Sequence, residues 1–184
     1  MNIVETKLDG VCIIEPKVFE DERGQFIKVF NQALFEQEGL PFTPAESYYS
    51  ISKKNVIRGM HFQIPPADHI KLVYVTEGAI LDVVLDLRKG SPTYGEYITL
   101  ELTDQNRAMA YIPSGFAHGF LSLQDNTRVT YLQSTGYSPE HDSGIRMDSF
   151  GMKWGVSEPI WSKRDREFPL FTGFQTPFMY RKKP

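Results

Sequence analysis

The chain has 184 residues, of which 41% are hydrophobic and 23% charged, enough to bury one sizeable core in an ordinary globular protein. A formal net charge of −3 without a dense basic cluster argues against a nucleic-acid surface, and Arg181, Lys182 and Lys183 form only a short solvated tail. Cys12 stands alone, so no internal disulfide can form; no apolar stretch is long enough for a membrane span, and residues 1–16 carry too many charges for a secretory signal.

One cytoplasmic domain over residues 1–184 is therefore expected. Residues 11–14 and 24–30 read as its first strands, being short apolar runs bounded by Gly and Pro. A helix follows, capped by Asn31, with Leu34 and Phe35 on its apolar side and Gly39 and Pro41 ending it. Strands are then predicted over 48–51, 71–76, 80–87, 97–102, 108–112, 119–123 and 127–133, separated by turn residues at 77–78, 89–92, 103–106 and 124–126. Asp82, Asp86 and Arg88 interrupt the apolar alternation of the run that starts at Ile80, which suits a strand lying between two packed layers. From Ser138 on, Pro, Trp, Phe and Asp predict irregular chain with short helices. Many strands and few helices point to an all-β jelly-roll (cupin-like) sandwich or barrel, its few short helices mainly toward the C-terminus. Such a fold leaves a hollow between its sheets, where inward-facing polar residues must be satisfied or functional.

Four histidines are present: His61, His69, His118 and His141. His61 stands ten residues before Lys71, and a base paired with a cation is what proton abstraction beside a carbonyl requires. His118 ends the spacing Pro113-x-Gly115-x-x-His118, the second half of the cupin signature. The first half, in metal-binding cupins, is an H-x-H pair followed by Glu. Here it reads His61-Phe62-Gln63, with a neutral amide where a ligand should stand, so no metal site is expected.

Several motifs recur in one order. They are Phe19-Glu20-Asp21-Glu22-Arg23-Gly24, Ile57-Arg58-Gly59-Met60-His61-Phe62-Gln63, Lys71-Leu72-Val73, the run from Asp86 to Gly95, the run from Ile112 to Phe120, Tyr131, Tyr137-Ser138-Pro139 and Ser162-Lys163-Arg164-Asp165. From about Leu8 to Asp165 the chain resembles the nucleotide-sugar 3,5-epimerases typified by dTDP-4-dehydrorhamnose 3,5-epimerase.

The resemblance implies a cofactor-free epimerisation through an enolate. His61 would be the base beside a 4-keto group, Asp165 the carboxylate that orients and charges it, Lys71 the cation at the keto oxygen, and Tyr131 the acid on the opposite face. It also implies substrate contacts from Arg58, Gln63, His118, Tyr137, Glu46 and Tyr48. Phe19, Arg23, Phe26 and Lys28 would act on the neighbouring subunit's site in a homodimer. Taken singly, Tyr131 also reads as a packing tyrosine, Asp165 as a helix cap and residues 21–24 as a surface turn.

Four positions depart from the family's pattern: Lys28 replaces a Glu, Glu46 and Tyr48 replace the Gln and Asn of a Q-x-N-x-S string, and Asn55 replaces a Gly. All lie outside the proton-transfer set, so the chemistry is expected to be kept while the base (dTDP, CDP or another) or the inverted carbon (3, 5 or both) varies. A ketoisomerase on the same scaffold and a non-catalytic sugar- or metal-binding cupin are the alternatives.

Overall fold

The computed structural model describes residues 1–181, so Lys182 and Lys183 of the predicted tail lie outside the described residues. Thirteen strands and two short α-helices are present among them. One antiparallel sheet takes β1 (Asn2–Glu5), β2 (Cys12–Glu15), β10 (Met109–Ile112), β7 (Lys71–Glu77), β12 (Thr127–Gln133) and β5 (Glu46–Ser52), in that order. A second takes β13 (Asp142–Gly144), β6 (Ile57–Gln63), β11 (Phe116–Ser122), β8 (Ala79–Asp86) and β9 (Tyr97–Thr103). A separate hairpin joins β3 (Val18–Asp21) to β4 (Gly24–Ile27). The jelly-roll reading holds.

Between the sheets, Val73, Val75 and Val129 of the first pack with Ile80, Val84, Phe116 and Phe120 of the second. The outer face of the second sheet is covered as well: Met60, Phe62, Val83 and Leu85 pack with Trp154 and Phe178 of the irregular C-terminal segment. Strand β8 is therefore apolar on both sides, and its buried Asp82 and Asp86 are the exceptions that interrupt the pattern. The outer face of the first sheet is closed by Phe35 of α1 (Gln32–Gln37), with Leu40 and Phe42. Asn31 caps α1 by accepting from the Leu34 N–H at 3.0 Å.

Boundaries moved in places. The run predicted over 24–30 pairs only as far as Ile27, leaving Lys28 beyond the hairpin. Strand β11 begins at Phe116 rather than at 119, so His118 sits inside it. Four strands had no sequence prediction: β1, β3, β13 and β6, the one that carries His61. No helix among the described residues is long and apolar enough to cross a membrane.

Candidate active site

Side-chain parity sets the lining of the hollow. On the first sheet Glu46, Gln133 and Lys71 are cross-strand partners in one row, and Tyr48, Tyr131 and Val73 form the next. Residues two apart on a strand share a face, so both rows point inward with the core valines. On the second sheet His61 lies opposite His118 on one side and Gly144 on the other. These faces enclose a cavity of about 350 Å³ lined by Tyr131 and Lys71 from one sheet and Arg58, His61 and His118 from the other.

Two close backbone approaches shape β6. Gly59 has φ +135°, and a Cβ there would lie 2.5 Å from the Gly119 Cα. The β6–β11 register shifts between His118 and Phe120, at the same place. Gly144 makes room in a similar way: a Cβ would meet the Phe168 ring at 2.3 Å, and that ring packs edge-on to His61 with centroids 5.7 Å apart.

Asp165 is buried in α2 (Lys163–Glu167), where Ser162 caps the helix by accepting from the Asp165 N–H at 3.0 Å. Its Oδ1 lies 2.8 Å from His61 Nε2, and its Oδ2 accepts from the Gly59 N–H at 3.4 Å. Burial pushes the Asp165 carboxyl up, but the His61 and Gly59 hydrogen bonds outweigh it and hold the group below the usual carboxylate range. An ionised Asp165 accepts a hydrogen bond from Nε2–H and leaves Nδ1 of His61 as the basic nitrogen. Burial lowers the His61 pKa; Asp165 opposes this, Lys71 and Arg164 reinforce it, and the net direction is down. Asp165 itself favours the charged ring, but burial outweighs it, so the net direction is toward the neutral imidazole, the form able to accept a proton.

Lys71 is buried, and its ammonium reaches across to the second sheet to donate to the His61 carbonyl at 3.0 Å. Burial brings its pKa down to about 8, against the pull of Asp142 and Asp82. The Tyr131 phenol is pushed well above its ordinary value, chiefly by burial and then by Tyr48 and Asp82, so it keeps its proton. Tyr48 stacks on it with centroids 4.8 Å apart, and the Tyr48 hydroxyl accepts from Gln133 Nε2 at 2.6 Å. His118 meets Tyr131 edge-on at 6.0 Å, and its Nε2 lies 2.6 Å from the fully buried Asp82.

Other predicted residues are placed as follows. Arg58 lines the cavity and donates through Nε to Ser52 at 3.0 Å; Glu46 and the exposed Tyr137 line it too. Gln63 also faces the cavity, but its amide is engaged with the backbone: Nε2 donates to Ala67 at 2.7 Å and Oε1 accepts from Ser138 at 2.7 Å. Phe19, Arg23 and Phe26 lie away from this cavity, on the β3–β4 hairpin around a separate surface pocket. Lys28 is exposed beyond it. His69, Gln133, Asp142 and Arg164 line the main cavity without having been singled out from sequence. They come from separate segments, and only Arg164, within Ser162-Lys163-Arg164-Asp165, falls in a motif. No group of three or more His, Cys, Asp or Glu among the described residues is arranged to hold a metal ion.

Known proteins resemble this chain over most of its length. A family model described as dTDP-4-dehydrorhamnose 3,5-epimerase matches residues 5–173. A dTDP-4-dehydrorhamnose 3,5-epimerase from Methanothermobacter thermautotrophicus is 45% identical over 170 residues, spanning 90% of this chain and 91% of the relative. The structure of dTDP-6-deoxy-D-glucose-3,5-epimerase from Legionella pneumophila, in complex with dTDP-4-keto-L-rhamnose, matches with a TM-score of 0.93 at 33% identity, over 98% of this chain and 99% of that one. The dTDP-4-dehydrorhamnose 3,5-epimerase structure from Bacillus anthracis, with TDP and PPi bound, matches at 0.89 and 37% identity, over 92% of this chain and 98% of that one.

Proposed function

The chain belongs to the dTDP-4-dehydrorhamnose 3,5-epimerase family, and on that premise we propose that His61 and Tyr131 are the two proton carriers of an epimerase acting on a dTDP-linked 4-keto-6-deoxy sugar in deoxysugar biosynthesis. The observation that carries this reading is their origin on opposite sheets around one cavity that Lys71 also lines. Inversion at carbon needs a base on one face and an acid on the other. The neutral Nδ1 of His61 removes a proton from the carbon beside the keto group. Charge moves onto the keto oxygen, where the Lys71 ammonium stabilises the enolate. Tyr131 then returns a proton from the other face, and exchange with solvent resets both groups. Asp165 holds the His61 ring, and Arg58 supplies a fixed cation for the diphosphate.

The hairpin supports a homodimer in which each copy completes the other's site. Phe19 and Phe26 are 49% and 60% exposed on its surface, Arg23 and Lys28 are exposed nearby, and none of the four lines this chain's own cavity. Aromatic faces and a guanidinium suit a base and a phosphate.

The test is a panel of 4-keto-6-deoxy sugars on dTDP, CDP, GDP and UDP, followed in deuterated water by mass spectrometry. Deuterium entering carbons 3 and 5 of the dTDP sugar is expected. Entry at one carbon alone narrows the reaction to a single inversion, turnover only of another nucleotide moves the base assignment to the Lys28 charge reversal, and no entry with any sugar removes the proposal.

A further inference from the structure

His69 is the one histidine lining the cavity that has no hydrogen-bond partner among the described residues: both ring nitrogens are buried and unmatched, and the residue is only 8% exposed. The chain around it is tied down on every side. The Ala67 carbonyl accepts from Gln63 Nε2 at 2.7 Å and from the Thr135 hydroxyl at 3.1 Å. The Asp68 carboxylate accepts from the Ser114 hydroxyl. Ile70 is bonded twice to Ser134, donating to its hydroxyl at 2.8 Å and accepting from its N–H at 3.1 Å. The backbone that carries the imidazole is thus fixed on both sides of it. A buried polar ring left without a partner costs stability, which argues that something other than the protein satisfies it.

We propose that His69 is a specificity-determining residue that binds the hydroxyl on carbon 2 of the sugar. The assignment rests on the epimerase reading above. Burial, with Lys71 and His118 close by, lowers its pKa to about 3, so the ring is neutral and offers one donor and one acceptor. A neutral ring is a poor partner for the diphosphate, which calls for a cation. The keto oxygen and the ring oxygen only accept, and the methyl at carbon 6 does neither. Two hydroxyls remain in a 4-keto-6-deoxyhexose, on carbons 2 and 3. Inversion at carbon 3 moves its hydroxyl, whereas the one on carbon 2 keeps its configuration throughout. A rigidly held partner fits the group that stays put.

The test compares dTDP-4-keto-6-deoxyglucose with its 2-deoxy analogue, measuring kcat/KM and solvent deuterium uptake for the full-length wild type, His69→Phe and His69→Gln. Wild type should favour the 2-hydroxy sugar by about 10- to 100-fold. His69→Phe should lose most of that preference by slowing the 2-hydroxy sugar alone, and His69→Gln should keep part of it. Equal losses on both sugars, or a wild type that does not distinguish them, would overturn the assignment. The wild-type ratio decides even if His69→Phe does not fold. Should wild type exchange protons with neither sugar, the epimerase reading falls and takes this assignment with it; exchange without a preference removes only the role of His69.

Discussion

Lys71 and His61 sit on different sheets, yet the Lys71 ammonium donates to the His61 backbone carbonyl at 3.0 Å. One hydrogen bond therefore ties the cation proposed for the enolate to the strand that carries the proposed base. The Lys71 ammonium is thereby anchored on a backbone carbonyl instead of swinging freely, which is the arrangement expected of a preorganised electrostatic site.

Replacing His61 with Asn removes the base while leaving the ring's neighbours in place. Turnover and solvent deuterium uptake should both fall by about 10²- to 10⁴-fold, with little change in melting temperature. Steady-state kinetics with circular dichroism checks both halves.

Tyr131→Phe should separate the two half-reactions. His61 still removes and returns protons on its own face, so deuterium exchange with solvent continues while inverted product is lost. Mass spectrometry of recovered substrate beside nuclear magnetic resonance of product distinguishes this from a general loss of activity.

The pH profile of kcat/KM should be bell-shaped. Its acid limb follows protonation of His61, below the ordinary value of 6.5, because burial lowers that group. Its alkaline limb lies near pH 8, where Lys71 loses its charge. Tyr131 is held well above 10 and stays out of this range. An alkaline limb that survives in Lys71→Met would refute the assignment.

Lys71→Met should lower kcat by about 10²- to 10³-fold and yet raise stability. The folded state binds the Lys71 proton less tightly (pKa about 8) than the unfolded chain does (10.5). Unfolded chains therefore hold more protons between these values, and stability rises with pH across that window. Below pH 8 the charged, buried lysine carries a penalty on the order of 3 kcal/mol, which methionine removes. Thermal melts at pH 7 should show a gain of roughly 5–10 °C, shrinking toward pH 10.5.

Gly59→Ala should destabilise the protein by on the order of 3 kcal/mol, since the new methyl meets the Gly119 backbone at 2.5 Å in a left-handed conformation. Urea denaturation measures it. Any folded fraction should also lose activity, because β6 has to move away from β11 at the His61–His118 pair.

Much of the scaffold was legible from residue patterns. Strand β8 declared itself through its apolar run, and α1 through Asn31, Gly39 and Pro41. Strand β6 did not, for a functional reason. Its outward residues Met60 and Phe62 are apolar, but its inward residues Arg58, His61 and Gln63 serve the cavity, so the usual inward apolar stripe is missing and Gly59 breaks what remains. His61, Lys71 and Tyr131 were found through the order of their motifs. His69 was counted and passed over, because only a fold that brings residues 67–70 against residues 114, 134 and 135 reveals that its ring lacks a partner. The net downward direction at His61 also escaped sequence reasoning, since burial is a property of the assembled sheets.

Because Tyr131 hangs from one leaf of the sandwich and His61 from the other, the gap between leaves would itself be a kinetic variable of the proposed reaction. Substitutions that thicken or thin the valine layer beneath the cavity, at Val73, Val75 or Val129, would alter the proton-transfer distances without touching a reacting group. Evolution of this enzyme's speed has a handle in plain hydrocarbon, well away from any polar residue.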